Sequence, residues 1–160
     1  SMALPRMAIS ANGDPARFAS FGCPVLDDGA FADQGPLAGV LAGLDWAFAE
    51  GAAALLTIPG DTPFPPPGLA AVLAPAPAYA ASLGRRHHLV ALWPVDARTA
   101  LRAHLMAPGG RHVARFSETI GMRRVDFSTE PCDPFLNVNT RDDLALARRL
   151  VRDGLRLDNG

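Results

Sequence analysis

A continuous apolar run spans residues 52–58, between a helical segment and a proline-rich loop. The run is too short for a separate helix, so we interpret it as a buried parallel strand. The segment before it, residues 36–50, carries apolar side chains at the spacing of an amphipathic helix, with Gly51 just past its end. A helix that leads into a buried strand indicates an α/β fold.

Similar signals occur along the whole chain. Residues 6–12 have the pattern of a short buried strand, and Asp14 with Pro15 then predicts a helix start that ends near Gly22. Further helix or strand signals fall at residues 24–26, 66–73, 77–82, 88–93, 96–106, 110–118, 123–127 and 140–153. The alternation predicts one domain, residues 1–160, built as an α/β sandwich with a mostly parallel sheet. Ligands of such folds bind beyond the carboxyl ends of the strands.

Composition argues against several kinds of partner. The formal net charge is −1 and every basic residue is Arg, so a basic surface for nucleic acid is not expected. No apolar run approaches the ~20 residues that span a bilayer, and no secretory signal is recognisable, so we expect a cytoplasmic protein. Cys23 and Cys132 are too isolated for a zinc site, and we expect free thiols rather than a disulfide.

Three loops carry candidate site residues. In TIPGDTPFPPP, residues 57–67, Asp61 follows the buried strand, where a carboxylate suits Mg²⁺ with substrate phosphates; alternatively, Asp61 caps a turn with Thr62.

In residues 27–39, Asp27 or Asp28 could accept hydrogen bonds from guanine, and the helix start at Gly35 suits phosphate. The alternative is a loop of solvated acids before a closely packed helix.

The third loop is FLNVNT, residues 135–140. Asn137 and Asn139 alternate, so on an extended segment they share one face, where two amides could bind a polar heterocycle. The alternative is an Asx turn that starts the last helix. That helix is predicted to begin with Thr140 as N-cap and Asp143 at the third position, in a capping-box-like arrangement.

The order of these motifs identifies a family resemblance. GPLAG (residues 35–39), IPGDTPFPP (58–66) and NVNT (137–140), followed by the acidic and Leu-rich helix RDDLALARRL, resemble the molybdenum cofactor guanylyltransferases, the MobA-type proteins. RRHHLVALWPV (85–95) and GGRHVARF (109–116) are similar to further segments of the family, with His87 and Arg111 at the positions of interest. The resemblance covers about residues 6–152.

The resemblance implies a Rossmann-like three-layer nucleotidyltransferase fold and transfer of GMP from Mg·GTP to molybdopterin with release of pyrophosphate. It implies that Asn12, Asp28 and Gly35 bind the nucleotide and that Asp61 binds Mg²⁺ and is catalytic. Molybdopterin-binding residues would be Asn137, Asn139, His87 and Arg111, and a molybdoenzyme or its chaperone is a further possible partner. The implied mechanism is in-line displacement at the α-phosphate, which needs no protein nucleophile.

One family segment has no counterpart here. The family opens with a strand and a glycine-rich LAGG…RMG…K segment that holds the triphosphate, whereas this chain has no Lys and its Gly109–Gly110 pair lies far along the sequence. We therefore expect the first βα unit to be missing, with Ser1 and Met2 as the remnant of a tag. A truncated enzyme is favoured over a non-catalytic binding module or a loop supplied by a second chain. The alternative activities are a CTP-using molybdopterin cytidylyltransferase and another nucleotidyltransferase of the same fold.

Overall fold

The computed structural model describes residues 6–130 and 132–152, which fall into two compact units. The first unit comprises residues 6–55 and 93–120, and the second comprises residues 56–92, 121–130 and 132–152. The predicted tag remnant, Ser1 and Met2, lies outside the described residues, as does Asp153 at the end of the predicted last helix. Within the described part of the chain, every helix is too short or too polar to cross a bilayer.

Strands β1 and β2 of the first unit are short and parallel. The expected strand over residues 6–12 is reduced to β1 (Ile9–Ser10), which pairs with β2 (Val25–Leu26) in the register Ile9 to Val25. Between them lies a 3₁₀ helix, Pro15–Phe21, whose start is capped as predicted by the Asp14 carboxylate at 2.9 Å from the Ala16 amide. Parallel pairing brings the ends of both strands to the same edge.

The helices of the first unit surround an apolar core. Helix α1 (Pro36–Ala49) starts at the proline that the sequence indicated, and its buried face includes Leu37, Leu41 and Leu44. Phe48 continues the apolar spacing of this helix but is exposed, and the Arg98 guanidinium lies 3.7 Å from its ring centroid. The remaining helices of this unit are α3 (Ala97–Met106) and α4 (Val113–Thr119).

The larger sheet has four strands in the order β3–β5–β4–β6. Strand β4 is buried at every position, and it pairs antiparallel with β5 and parallel with β6. The α/β class is confirmed, with parallel pairs at β1–β2 and β4–β6 and an antiparallel hairpin at β4–β5. The strands are β3 (Ala54–Thr57), β4 (Ala78–Ser82), β5 (Arg85–Pro94) and β6 (Arg123–Asp126).

Two helices complete the second unit. Helix α2 (Leu69–Leu73) follows the proline-rich loop, and helix α5 (Arg141–Arg152) ends the described chain. The predicted capping box of α5 is confirmed: the Asp143 amide donates to Thr140 Oγ1 at 3.1 Å, and the Thr140 amide donates to Asp143 Oδ2 at 2.9 Å. Hydrogen bonds to its carboxylate lower the pKa of Asp143 below its usual range; the Thr140 side chain contributes most, followed by the backbone amides of Asn139 and Thr140.

Candidate functional site

Asn12 and Asp28 form a reciprocal pair at the ends of β1 and β2. Asn12 Nδ2 donates to Asp28 Oδ2 at 2.7 Å, and the Asp28 amide donates to Asn12 Oδ1 at 3.0 Å. Because β1 and β2 are parallel, both residues lie beyond the carboxyl ends of their strands. Two of the predicted nucleotide-binding residues are therefore adjacent, and the Asp28 carboxylate is oriented by an amide rather than free in solvent.

Gly35 and Gly39 bring helix α1 close to this pair. Gly35, the N-cap residue, has φ 81° and ψ −170°, a combination that side chains essentially forbid. One turn later, a Cβ added to Gly39 would lie 2.5 Å from Ser10 Oγ and 3.5 Å from Asp28 Oδ1. The first turn of α1 thus packs directly against the edge that holds Asp28, which also agrees with the close helix packing that was the alternative interpretation of this segment.

Asp61 lies in the second unit, in the loop after β3. Its side chain is half-buried, and its carboxylate makes no hydrogen bond to residues 6–130 or 132–152, so the alternative of a cap on Thr62 is not what the structure contains. The turn is closed instead by the Thr62 amide, which donates to the Pro59 carbonyl at 3.1 Å. The carboxylate oxygens are therefore available to a ligand.

The segment with the two asparagines lies beside this loop. The Val138 amide donates to the Asp61 carbonyl at 2.8 Å, which joins residues 77 positions apart within the second unit. Asn137 and Asn139 are both exposed and flank Val138. The last helix is started by Thr140 and Asp143, not by an Asx turn of either asparagine. Asp61, Asn137 and Asn139 are thus brought into one region.

His87 belongs to a hydrogen-bonded chain of three side chains. Its Nε2 lies 2.8 Å from Ser82 Oγ, and Ser82 Oγ donates to Asp133 Oδ1 at 2.8 Å. Burial lowers the pKa of His87, an effect that Asp133 opposes and Arg85 reinforces. Sequence reasoning identified His87 but not its partners, because 51 residues separate Ser82 from Asp133 and neither is part of a recognisable motif.

No described hydrogen bond joins Arg111 or either cysteine to the side chains named above. Arg111 is exposed in the turn between α3 and α4 and belongs to the first unit, whereas His87 belongs to the second. Cys23 and Cys132 are free, half-buried thiols. Among the predicted molybdopterin-binding residues, Asn137 and Asn139 are the ones that a described backbone contact brings next to Asp61.

The Asp61 carboxylate is a single candidate metal ligand among the described residues. No cluster of three or more His, Cys, Asp or Glu side chains that could bind a metal occurs among residues 6–130 and 132–152. Mg²⁺ is commonly bound by one or two carboxylates, with waters and substrate phosphates as the other ligands. A single carboxylate without a protein partner is compatible with that kind of site.

Comparisons with known proteins converge on one family. Residues 1–122 match the model of the MobA-like NTP transferase domain. A molybdenum cofactor guanylyltransferase from Acidiphilium cryptum (strain JF-5) is 59% identical over 141 residues, which cover 88% of this chain and 71% of the relative. One from Mesorhizobium japonicum is 46% identical over 157 residues, covering 91% of this chain and 76% of the relative.

Solved structures show the same fold. The crystal structure of molybdopterin-guanine dinucleotide biosynthesis protein A from Archaeoglobus fulgidus superposes with a TM-score of 0.68 at 18% identity, covering 91% of this chain and 78% of that chain. A protein from Aquifex aeolicus VF5 gives a TM-score of 0.70 at 18% identity, covering 84% and 71%. These similarities confirm the α/β nucleotidyltransferase fold that the sequence resemblance implied.

Proposed function

Because the chain belongs to the MobA-like NTP transferase family, and its relatives named molybdenum cofactor guanylyltransferase match most of its length, we propose that it transfers GMP from GTP to molybdopterin. In this reaction an oxygen of the terminal phosphate of molybdopterin forms a bond to the α-phosphorus of GTP. The bond from that phosphorus to the bridging oxygen breaks, and pyrophosphate leaves. The chemistry requires positioning and charge neutralisation rather than a protein nucleophile.

The pair at the ends of β1 and β2 would bind the nucleotide. Guanine presents N–H donors at N1 and N2, and a carboxylate accepts hydrogen bonds from both. Asn12 holds Asp28 through two hydrogen bonds, so the carboxylate is oriented before the ligand arrives, which reduces the entropy lost on binding. Gly35 adds the start of α1, where unpaired amides and the helix dipole favour phosphate.

Asp61 would bind Mg²⁺ together with the triphosphate. The ion, when bound, neutralises charge that develops on the phosphate oxygens during transfer. The Asp61 carboxylate is suited to this because it is half-buried and has no competing partner in the described part of the second unit. Its backbone carbonyl is fixed by the Val138 amide, so the loop that carries it is anchored on one side.

Asn137 and Asn139 would contact molybdopterin, with Arg111 as a further contacting residue, whereas His87 would support molybdopterin binding through its hydrogen bond to Ser82. Exposed amides offer both donors and acceptors to the pterin ring. The observation that supports this proposal is the hydrogen bond from the Val138 amide to the Asp61 carbonyl, because it joins the backbone between the two asparagines to the loop that carries the proposed metal ligand. The metal-bound phosphate and the acceptor would thus meet in one region.

The test is a transferase assay on the full chain with molybdopterin, comparing GTP with CTP, each with and without Mg²⁺. The expected result is Mg²⁺-dependent release of pyrophosphate with GTP and formation of a guanine dinucleotide product. A preference for CTP would assign the chain to cytidylyl transfer instead. Calorimetric titration with each nucleotide separates recognition from catalysis, since selective GTP binding without turnover would identify a binding module and overturn the proposed activity.

A further inference from the structure

A buried serine links a histidine of β5 to an aspartate outside the sheet. Ser82, at the end of β4, is 1% exposed. Its hydroxyl lies 2.8 Å from His87 Nε2 and 2.8 Å from Asp133 Oδ1. Ser82 and His87 are on neighbouring strands of the β4–β5 hairpin, whereas Asp133 precedes the segment with Asn137 and Asn139.

The three side chains have a defined direction of hydrogen bonding. An ionised carboxylate accepts only, so the hydroxyl proton of Ser82 is directed to Asp133. The Ser82 oxygen can then only accept from the ring of His87, which places the imidazole proton on Nε2. Each donor in the chain therefore has an acceptor. This holds whether His87 is neutral or protonated, because both forms can carry a proton on Nε2.

This arrangement does not resemble an activated nucleophile. A nucleophilic serine must be accessible to substrate and must give its proton to the base beside it. Ser82 is inaccessible, and its proton goes to the acid rather than to the histidine. The hydrogen bonds among Ser82, His87 and Asp133 therefore fix the positions of these side chains.

Asp133 also fixes the residues that follow it in the chain. Its Oδ1 also accepts from the Phe135 amide at 3.0 Å, and Phe135 is 2% exposed. The Phe135 ring lies 5.0 Å from the His87 ring and 5.0 Å, edge-on, from the Phe127 ring. Three residues after Phe135, the Val138 amide is bonded to the Asp61 carbonyl. The segment from Asp133 to Val138 is thus anchored at both ends.

We propose that Ser82, His87 and Asp133 are positioning residues that hold residues 133–139 in the conformation that presents Asn137 and Asn139 to the phosphate-bearing pterin substrate. The proposal rests on the proposed function of this site. It predicts a specific kinetic signature, because a mispositioned segment impairs binding of the acceptor while the nucleotide edge in the first unit keeps its own hydrogen bonds.

The first experiment compares Ser82→Ala with Ser117→Ala. Both serines are fully buried, but the Ser117 hydroxyl donates to the Val113 carbonyl within its own helix. For Ser82→Ala we expect the KM for molybdopterin to rise about tenfold, as loss of hydrogen bonds to a charged group suggests, with the KM for GTP and kcat within about twofold of wild type. Ser117→Ala should leave all three constants within about twofold. An unchanged molybdopterin KM in Ser82→Ala would overturn the proposal.

A second pair of variants keeps the proposal testable if Ser82→Ala does not fold. His87→Gln retains a nitrogen donor toward Ser82, whereas His87→Phe keeps a ring against Phe135 without the donor. We expect His87→Phe to raise the molybdopterin KM at least threefold more than His87→Gln, and to speed amide hydrogen exchange in peptides covering 134–140. Equal KM values and unchanged exchange would overturn it.

The exchange measurement also distinguishes this proposal from the proposed function. It needs neither GTP nor molybdopterin, so it reports on the segment even in an inactive chain. If the wild-type chain has no transferase activity but His87→Phe still speeds exchange at 134–140, the proposed function is wrong and the anchoring of the segment is supported. If the wild-type chain is active and exchange is unaltered, only the positioning role is wrong.

Discussion

Asp28 and Asp61 both follow a strand, yet their carboxylates are held in different ways. Asp28 Oδ2 accepts from Asn12 at 2.7 Å, and its amide is bound by the same side chain. The Asp61 carboxylate has no hydrogen-bond partner within residues 6–130 and 132–152, although the Asp61 carbonyl accepts from Val138. One acid is oriented through its side chain, and the other is anchored through its backbone.

The difference matches what two kinds of ligand require. Recognition of a base edge with N–H donors requires acceptor oxygens in a fixed orientation. A carboxylate held by an amide provides such oxygens. A magnesium ion requires negative oxygens that are not already used and that can adapt to waters and phosphates. The comparison is consistent with the proposed roles, nucleotide recognition at the Asp28 edge of the first unit and metal binding at the Asp61 loop of the second, and variants of the two acids test them.

The largest expected effect is at Asp61. Asp61→Asn keeps the shape of the side chain but removes its charge, so we expect kcat for transfer to fall about 100-fold, with much higher Mg²⁺ needed for half-maximal rate. Asp28→Asn is the matched variant, and it should raise the KM for GTP without altering the Mg²⁺ requirement. Initial rates over a Mg²⁺ series measure both.

Asp142→Asn is the control, since Asp142 is an exposed acid in the first turn of α5. Its kinetic constants should match those of the wild-type chain. If Asp28→Asn shifted the Mg²⁺ requirement as much as Asp61→Asn, the proposal that Asp28 binds the nucleotide and Asp61 the metal would be wrong.

The two edges also differ in their backbone. Gly35 adopts φ 81° and ψ −170°, a region essentially restricted to glycine, so Gly35→Ala should cost about 2 kcal/mol of unfolding free energy. Gly60, beside Asp61, has an ordinary φ and no atom within 4 Å of an added Cβ. Gly60→Ala should therefore leave stability almost unchanged. Urea unfolding followed by circular dichroism gives both values, and equal stability of the two variants would contradict the strain at Gly35.

A smaller effect is expected at Asn12. Asn12→Ala removes both hydrogen bonds to Asp28, so the carboxylate is no longer oriented, and we expect the KM for GTP to rise about tenfold at unchanged kcat. The Mg²⁺ requirement should not change, because Asp61 is untouched. Isothermal titration with GTP provides the independent measurement, and an unaltered affinity would show that Asp28 does not depend on its partner.

Local signals in the sequence predicted the starts of helices α1 and α5. Pro36 and the apolar spacing located α1, and Thr140 with Asp143 predicted a capping box that the structure contains. These signals work because proline geometry and caps act within one turn of chain. Strand limits were less accurate: β5 begins at Arg85, in a polar stretch that does not look like a strand, because its pairing with β4 supplies the hydrogen bonds.

The candidate site was predictable only where a motif marks it. Asp61 and the two asparagines were identified from their segments, but the hydrogen bond that joins Val138 to Asp61 depends on the folded chain. Ser82 and Asp133 could not be predicted at all, since Ser82 is an unremarkable residue at a strand end and its partner lies 51 positions away. Long-range pairs of this kind have no local signature.

The smallest expected effect is a pH dependence of stability that comes from His87. Burial lowers its pKa in the folded chain, with Asp133 opposing and Arg85 reinforcing that shift, whereas the unfolded chain binds the proton at the ordinary value of about 6.5. The unfolded state therefore takes up the proton first. Stability from this group is complete above about pH 6.5 and is lost as the pH falls toward the lowered pKa. In urea unfolding between pH 7 and pH 5, His87→Gln should lose less stability on acidification than wild type. Parallel pH profiles of the two proteins would show that the partly buried surroundings of His87 do not disfavour its charge.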